Sequence, residues 1–142
     1  MPDMTSTDIA LVKESFNKIA PISEQAAALF YARLFELDPS LRQLFHGEME
    51  KQQRKFMQMI ALGVSSLNSR ETLGAIFRPL GSRHARAGVR PEHYGTVGTA
   101  FLWTLEKNLG PEFTPEVKSA WTSAYALLAN TMLEGARSEV AA

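Results

Sequence analysis

An all-α fold is the class this sequence predicts, and three observations predict it. Apolar residues return at three- and four-residue steps through most of the chain. β-branched residues are scattered, and no segment sustains the period of two that a half-buried strand needs. Pro21, Pro39, Pro91 and Pro115 stand between the periodic stretches, where helices stop or start.

The first helix is expected through Ile9, Val12, Phe16 and Ile19, with hydroxyl and acidic residues at Thr5, Ser6, Thr7 and Asp8 to open it. Pro21 separates it from a second, whose apolar side is Ile22, Leu29, Phe30 and Leu34. Asp38-Pro39 reads as a cap and a first-turn proline, opening a short helix through Leu41, Leu44 and Phe45 that Gly47 interrupts. A longer amphipathic segment runs from about Met49 to Leu67, with Phe56, Met59, Ile60, Gly63, Val64 and Leu67 on its inner face. Leu73, Ile76, Phe77 and Leu80 mark the next helix. Pro79 should kink it, His84 lies near its end, and Gly88 stops it. Pro91 begins a helix through Tyr94, Val97, Phe101, Leu102 and Leu105 that ends near Leu109-Gly110. Thr114-Pro115-Glu116 supplies a cap, a first-turn proline and an acid suited to the helix dipole, and opens a last helix to roughly Glu134. Seven or so helices joined by short loops follow, with no internal repeat or low-complexity segment.

The 142 residues fit one domain, 1–142, large enough to bury its own core. Fifteen basic side chains balance 15 acidic ones, so no global basic field draws nucleic acid or an anionic membrane. Zero cysteines exclude disulfides, thiolate metal sites and cysteine nucleophiles. The start, Met1-Pro2-Asp3-Met4-Thr5, lacks a basic stretch followed by an apolar run, and no apolar run approaches a membrane span. A cytoplasmic location is the expectation. Phosphate-cradling glycine loops, a zinc-binding histidine pair on one helix and a serine elbow are all missing; Gly95-Thr96-Val97-Gly98 is too short for a nucleotide motif. Glu48 and Glu50 sit at an exposed helix start, where acids are ordinarily solvated.

His84 is then the informative residue. It stands on a helix with neither cysteine nor a second histidine at zinc spacing. One reading is an ordinary core or surface histidine. The other is a single axial ligand whose metal takes the rest of its coordination from a planar macrocycle.

The order and spacing of several segments decide between the two. They are Leu29-Phe30-Tyr31-Ala32-Arg33-Leu34-Phe35, then Pro39 with Leu44-Phe45, then Gln52-Gln53-Arg54-Lys55-Phe56-Met57-Gln58. Leu80-Gly81-Ser82-Arg83-His84, His93-Tyr94-Gly95-Thr96-Val97-Gly98 and Ala120-Trp121-Thr122-Ser123-Ala124-Tyr125 complete the set. From about Ile9 to Met132 the chain resembles the single-domain bacterial globins related to the haem domain of flavohaemoglobins. The resemblance implies a globin fold around heme b, with His84 as the proximal iron ligand and Phe45 wedged against the cofactor. It makes Tyr31 and Gln52 the polar pair on the distal side, with Gln53 as the fallback for Gln52. Phe56, Tyr94 and Val97 would line the cofactor pocket, Phe56 standing where the family commonly has an aliphatic residue and crowding the ligand space. Lys55, Arg83 and Arg86 would meet the propionates or form a solvated face.

Implied partners are oxygen, carbon monoxide and nitric oxide. Two activities follow from the resemblance: reversible ligand binding for storage or delivery, and nitric oxide dioxygenation, which needs an electron from a separate reductase. Flavohaemoglobins pair the proximal histidine with a tyrosine and a glutamate that raise imidazole basicity. Tyr94 matches the tyrosine. The glutamate position falls on Ala136, with Glu134 facing elsewhere, so the push on the imidazole is expected to be weak or missing.

Overall fold

The computed structural model of the chain describes residues 4–141; residues 1–3 and 142, the ends of the expected 1–142 domain, lie outside the described residues. Among the described residues there are six α-helices, three 3-10 turns and no strand. The helices are α1 (Ser6–Ile19), α2 (Ser23–Leu37), α3 (Met49–Ser65), α4 (Arg70–Arg86), α5 (Pro91–Leu109) and α6 (Pro115–Ala141), with turns at Ala20–Ile22, Pro39–Leu44 and Gly110–Glu112.

Local chemistry explains most boundaries. At the start of α1 the Thr5 hydroxyl accepts the Asp8 N–H at 3.0 Å and the Asp8 carboxylate accepts the Thr5 N–H at 3.1 Å, a reciprocal capping box. Pro21 enforces the turn into α2, and the Thr114 hydroxyl accepts the Val117 N–H at 3.2 Å to open α6. The expected short helix after Asp38 is a 3-10 turn that ends at Leu44, one residue before Phe45. Six residues are too few to repay α-helix nucleation, and the tighter bonding suits an Asp38 side chain that caps Ser40. Phe45 is therefore extended, with φ −109° and ψ 116°.

α3 stops at Ser65, so Leu67 belongs to the connector, yet it is buried. α4 is helical straight through Pro79. The proline deprives the Ala75 carbonyl of its helical donor, and Ala75 is exposed. α6 runs past Glu134 to Ala141 because Gly135 is a crossing point and not a stop. A Cβ on Gly135 would strike the Arg78 carbonyl of α4, and a Cβ on Gly81 of α4 would strike the Met132 carbonyl of α6. Two glycines, one on each helix, thus admit the partner's backbone.

This crossing decides where the functional space lies. α4 packs most extensively on α6, whereas α3 packs on α2, and α3 and α4 barely touch although a four-residue connector joins them. The remaining core centres on Phe30, Leu34, Phe101, Leu105 and Trp121, all buried. The Trp121 indole N–H donates to the Ser15 hydroxyl at 2.8 Å, tying α6 to α1. No helix of the described residues is long and apolar enough to cross a membrane.

Candidate functional site

Between the separated helices α3 and α4 lies a cavity of about 330 Å³. That is the lower end of the size range of small-molecule sites. α2 contributes Phe30, Tyr31 and Leu34; the following turn adds Leu41, Leu44 and Phe45; α3 adds Gln52, Phe56, Met59 and Ile60. From the other side come Phe77, Leu80, Arg83 and His84 of α4, Val89 after it, His93, Tyr94 and Val97 of α5, and Tyr125, Leu128, Ala129 and Met132 of α6. The walls are apolar with a few polar groups, the usual make-up of a cofactor pocket.

His84 is fixed by its own helix end. α4 closes with Gly88 at φ 104°, the Gly88 N–H bonding the Ala85 carbonyl at 3.1 Å and the Val89 N–H bonding the His84 carbonyl at 3.0 Å. This Schellman pattern pins the His84 backbone and folds Val89 into the same cavity wall. The imidazole Nδ1 lies 2.9 Å from the Leu80 carbonyl, an acceptor only, so Nδ1 carries the proton and Nε2 keeps its lone pair. Burial lowers the His84 pKa and outweighs the backbone bond that raises it. The side chain is a neutral imidazole with a free ligating nitrogen on a cavity wall. Among the described residues no cluster of three His, Cys, Asp or Glu side chains is arranged for a metal ion, so a metal on Nε2 would draw its other ligands from a cofactor.

Tyr31 is buried and caged by aromatic edges: Phe45 at 5.2 Å and 86°, Phe30 at 5.0 Å and 75°, Phe56 at 5.9 Å and 71°. Its hydroxyl reaches the Gln52 backbone carbonyl only at 3.4 Å, a long contact that leaves the donor available. Burial pushes the phenol pKa up, so the proton stays on. Gln52 lines the same cavity as His84, while Gln53 lines a different groove between α2 and α3. The Gln52 side chain does not turn to Tyr31, however. Its Nε2 donates to the His46 carbonyl at 3.0 Å and so ties the start of α3 to the preceding loop. Phe56 stacks on Phe30 at 4.1 Å and 6°, which holds its ring in the cavity wall.

Lys55 is exposed and does not line the cavity, because it neighbours Phe56 on a helix whose Phe56 side faces inward. Of the three basic residues considered for an anionic edge, Arg83 lines the cavity and Arg86 does not. His46 is exposed and outside the wall. Glu134 is exposed and paired with Arg78 at 2.9 Å; Ala136 does not line the cavity. The Tyr94 hydroxyl is buried without a partner, and its backbone carbonyl accepts from the Tyr125 hydroxyl at 2.6 Å.

Three wall residues, His93, Tyr125 and Met132, carried no site role in the sequence reading. His93 accepts the Arg90 N–H on Nδ1 at 2.9 Å, which leaves its proton on Nε2; its position at the third residue of α5, just after Pro91, is the signal for that helix-start bond. Tyr125 and Met132 face the cavity from the extended α6.

Residues 28–132 match the globin family. The flavohemoprotein of Rhizobium meliloti (strain 1021) is 35% identical over 114 residues, 78% of this chain, and the chain spans only 28% of that protein's length. The neuroglobin of Tetraodon nigroviridis is 28% identical across a 149-residue alignment covering 95% of this chain and 94% of that one. Among solved structures, a hexacoordinated heme protein from an anhydrobiotic tardigrade superposes with a TM-score of 0.86 at 15% identity, covering 94% of this chain and 96% of that one.

Proposed function

The chain belongs to the globin family, and from that premise we propose that it binds heme b in the α3/α4 cavity and reversibly binds oxygen and other diatomic ligands there. The single observation that carries this reading is the His84 imidazole, neutral, anchored through Nδ1 to Leu80 and free at Nε2 on the cavity wall. The residues present fit the group: a slot between two separated helices, apolar walls from Phe45, Val97 and Leu128, and the Arg83 guanidinium for a carboxylate. Bound there, haem supplies an iron with an open coordination position for a diatomic ligand.

The protein's part is then to select and retain. His84 holds the cofactor through Nε2, and its Leu80 bond fixes the ring orientation and tautomer. Tyr31 presents a protonated donor inside an aromatic cage, able to hydrogen-bond a ligand that gathers negative charge. Gln52, drawn off to His46, supports Tyr31 through its backbone and can join as a second donor only by leaving that bond. Storage or delivery of oxygen is the role this arrangement suits.

Nitric oxide dioxygenation with a separate reductase is the second reading, favoured by the likeness to a flavohemoprotein. Nitric oxide, dioxygen and one electron give nitrate. The missing carboxylate near Tyr94, with Glu134 held at the surface by Arg78, weakens the push on His84 and limits this activity. Absorption spectra of the purified protein in ferric, ferrous and carbon monoxide forms test the main reading. His84→Ala should abolish normal haem uptake; an unchanged ferrous spectrum in that variant overturns it. Nitric oxide added to the oxygenated protein should give one nitrate per haem and then stall until a flavin reductase is supplied; sustained turnover with nicotinamide cofactor alone would replace the binding role with an enzymatic one.

A further inference from the structure

Two cations share one indole where α2 meets α5. The Arg33 guanidinium of α2 lies 4.9 Å from the Trp103 ring centre, and the Lys107 ammonium of α5 lies 5.7 Å from it. Arg33 and Trp103 each follow a buried aromatic, Tyr31 and Phe101, by two residues, so they leave their helices on the side away from those rings. Both are half-buried, and Lys107 is exposed.

This positive charge is not neutralised locally. Neither cation has an ion pair among the described residues, and the Arg33 Nε is buried without a hydrogen-bond partner. Stacking on Trp103 draws the guanidinium across to α5 and holds it there unpaired, a cost that a carboxylate from outside the chain offsets. Carboxylates border the same patch. Glu36 follows Arg33 by three residues and Glu106 follows Trp103 by three, so each shares a helix face with its neighbour. Both are exposed, and neither has an ion pair among the described residues. Leu37, four residues after Arg33, adds apolar surface that is 38% exposed.

The balance of charge selects the occupant. Two cations and two carboxylates cancel, so the patch has no net sign to draw a uniformly acidic or basic partner. The whole chain carries 15 basic and 15 acidic side chains, so two copies do not repel one another. A face with both signs unpaired around an indole and a leucine complements itself across a two-fold axis. We propose that the α2/α5 face centred on Trp103 is a homodimer interface, with Arg33 and Lys107 of one copy facing Glu36 and Glu106 of the second copy. The patch is small against the roughly 20–30 residues a side of a standard interface, so the pair exchanges and its population follows protein concentration. This contact is independent of the cofactor reading.

Sedimentation velocity on the full chain tests it. At low salt, from about 5 to about 500 µM, the weight-average coefficient should rise from monomer toward dimer, and about 0.5 M sodium chloride should weaken association by about threefold or more. Arg33→Glu with Lys107→Glu, and separately Glu36→Lys with Glu106→Lys, should each weaken self-association by about tenfold or more, because like charges then face one another. Mixing the two variants in equal amounts should restore the pair as a heterodimer, an outcome that loss of folding cannot imitate. If Arg33→Glu does not fold, Lys107→Glu alone takes its place in the mixture. A wild-type chain that stays monomeric throughout overturns the proposal and leaves the face to a different protein. A dimer that survives both reversals, or that the mixture fails to restore, overturns it as well, since the contact then lies on another face.

Discussion

Tyr31→Phe separates the functional work of a hydroxyl from the structural work of a ring. The ring is held by four aromatic neighbours, Phe30, Phe35, Phe45 and Phe56, and phenylalanine keeps all of those contacts. What the variant loses within the protein is one contact at 3.4 Å to the Gln52 carbonyl, beyond the ordinary O–H···O range, so stability should change by under about 0.5 kcal/mol. What it loses toward a ligand that gathers negative charge is a charge-assisted hydrogen bond of about 1.5–3 kcal/mol, which corresponds to oxygen release faster by roughly 10- to 150-fold. Carbon monoxide gathers less charge, and its release should change by less than about threefold on the same scale. Stopped-flow displacement of oxygen by carbon monoxide, with a denaturation curve on the same preparation, reads both quantities. Because burial holds the Tyr31 phenol above its ordinary value of 10.0, wild-type oxygen release should stay flat up to that pH. Equal acceleration of both ligands, or destabilisation beyond about 1 kcal/mol, would show that Tyr31 acts by packing and refute the reasoning.

Four further outcomes are expected. In His84→Gly, free imidazole should restore the ligated haem spectrum that the variant lacks, and failure of imidazole to do so removes His84 as the anchoring nitrogen. Gly81→Ala should destabilise by about 1–3 kcal/mol or more, since its Cβ strikes the Met132 carbonyl of α6, whereas Gly95→Ala, exposed with nothing within 4 Å, should stabilise by about 0.5–1 kcal/mol; urea curves compare the two. Tyr94→Phe removes a buried hydroxyl without a partner and should leave the haem-free protein equally or more stable, which a loss of more than about 1 kcal/mol in urea would contradict. Burial raises the phenol pKa of both Tyr31 and Tyr125, so the folded state favours the neutral forms; the stability they contribute is present below pH 10.0 and lost as pH rises past it, and Tyr125→Phe should make that alkaline slope shallower.

Helix placement was legible because caps and prolines act locally. Thr5 with Asp8, Asp38 with Ser40, and Thr114 with Val117 each form the bond that their spacing suggests. The differences have local and tertiary causes. Gly135 resembles a helix stop in sequence, and only the Arg78 carbonyl pressed against it shows that it is a crossing point within a longer α6. Phe45 falls outside its helix because the turn before it tightens into a 3-10 geometry. Lys55 carries a charge that sequence places near the pocket, but its neighbour Phe56 takes the inward face.

At the site, residue identity was more legible than residue direction. That His84, Tyr31, Phe45, Phe56, Tyr94 and Val97 share one pocket is what the family resemblance implies, and all six stand in the wall of one cavity. Where a flexible amide points is not implied by it. Gln52 has a flexible side chain, and the His46 carbonyl of the preceding loop takes its amide. That outcome has a physical consequence: with the amide engaged, the polar donor that remains among the described α2 and α3 residues of the cavity wall is Tyr31, whose hydroxyl makes only a long contact and whose ring is set by its aromatic neighbours. If oxygen is held by this preset hydroxyl, Gln52→Ala should alter oxygen release less than Tyr31→Phe does. Measured oxygen release that responds more to Gln52→Ala than to Tyr31→Phe would mean that the amide leaves His46 when ligand arrives, and that retention depends on this rearrangement and not on the preset phenol.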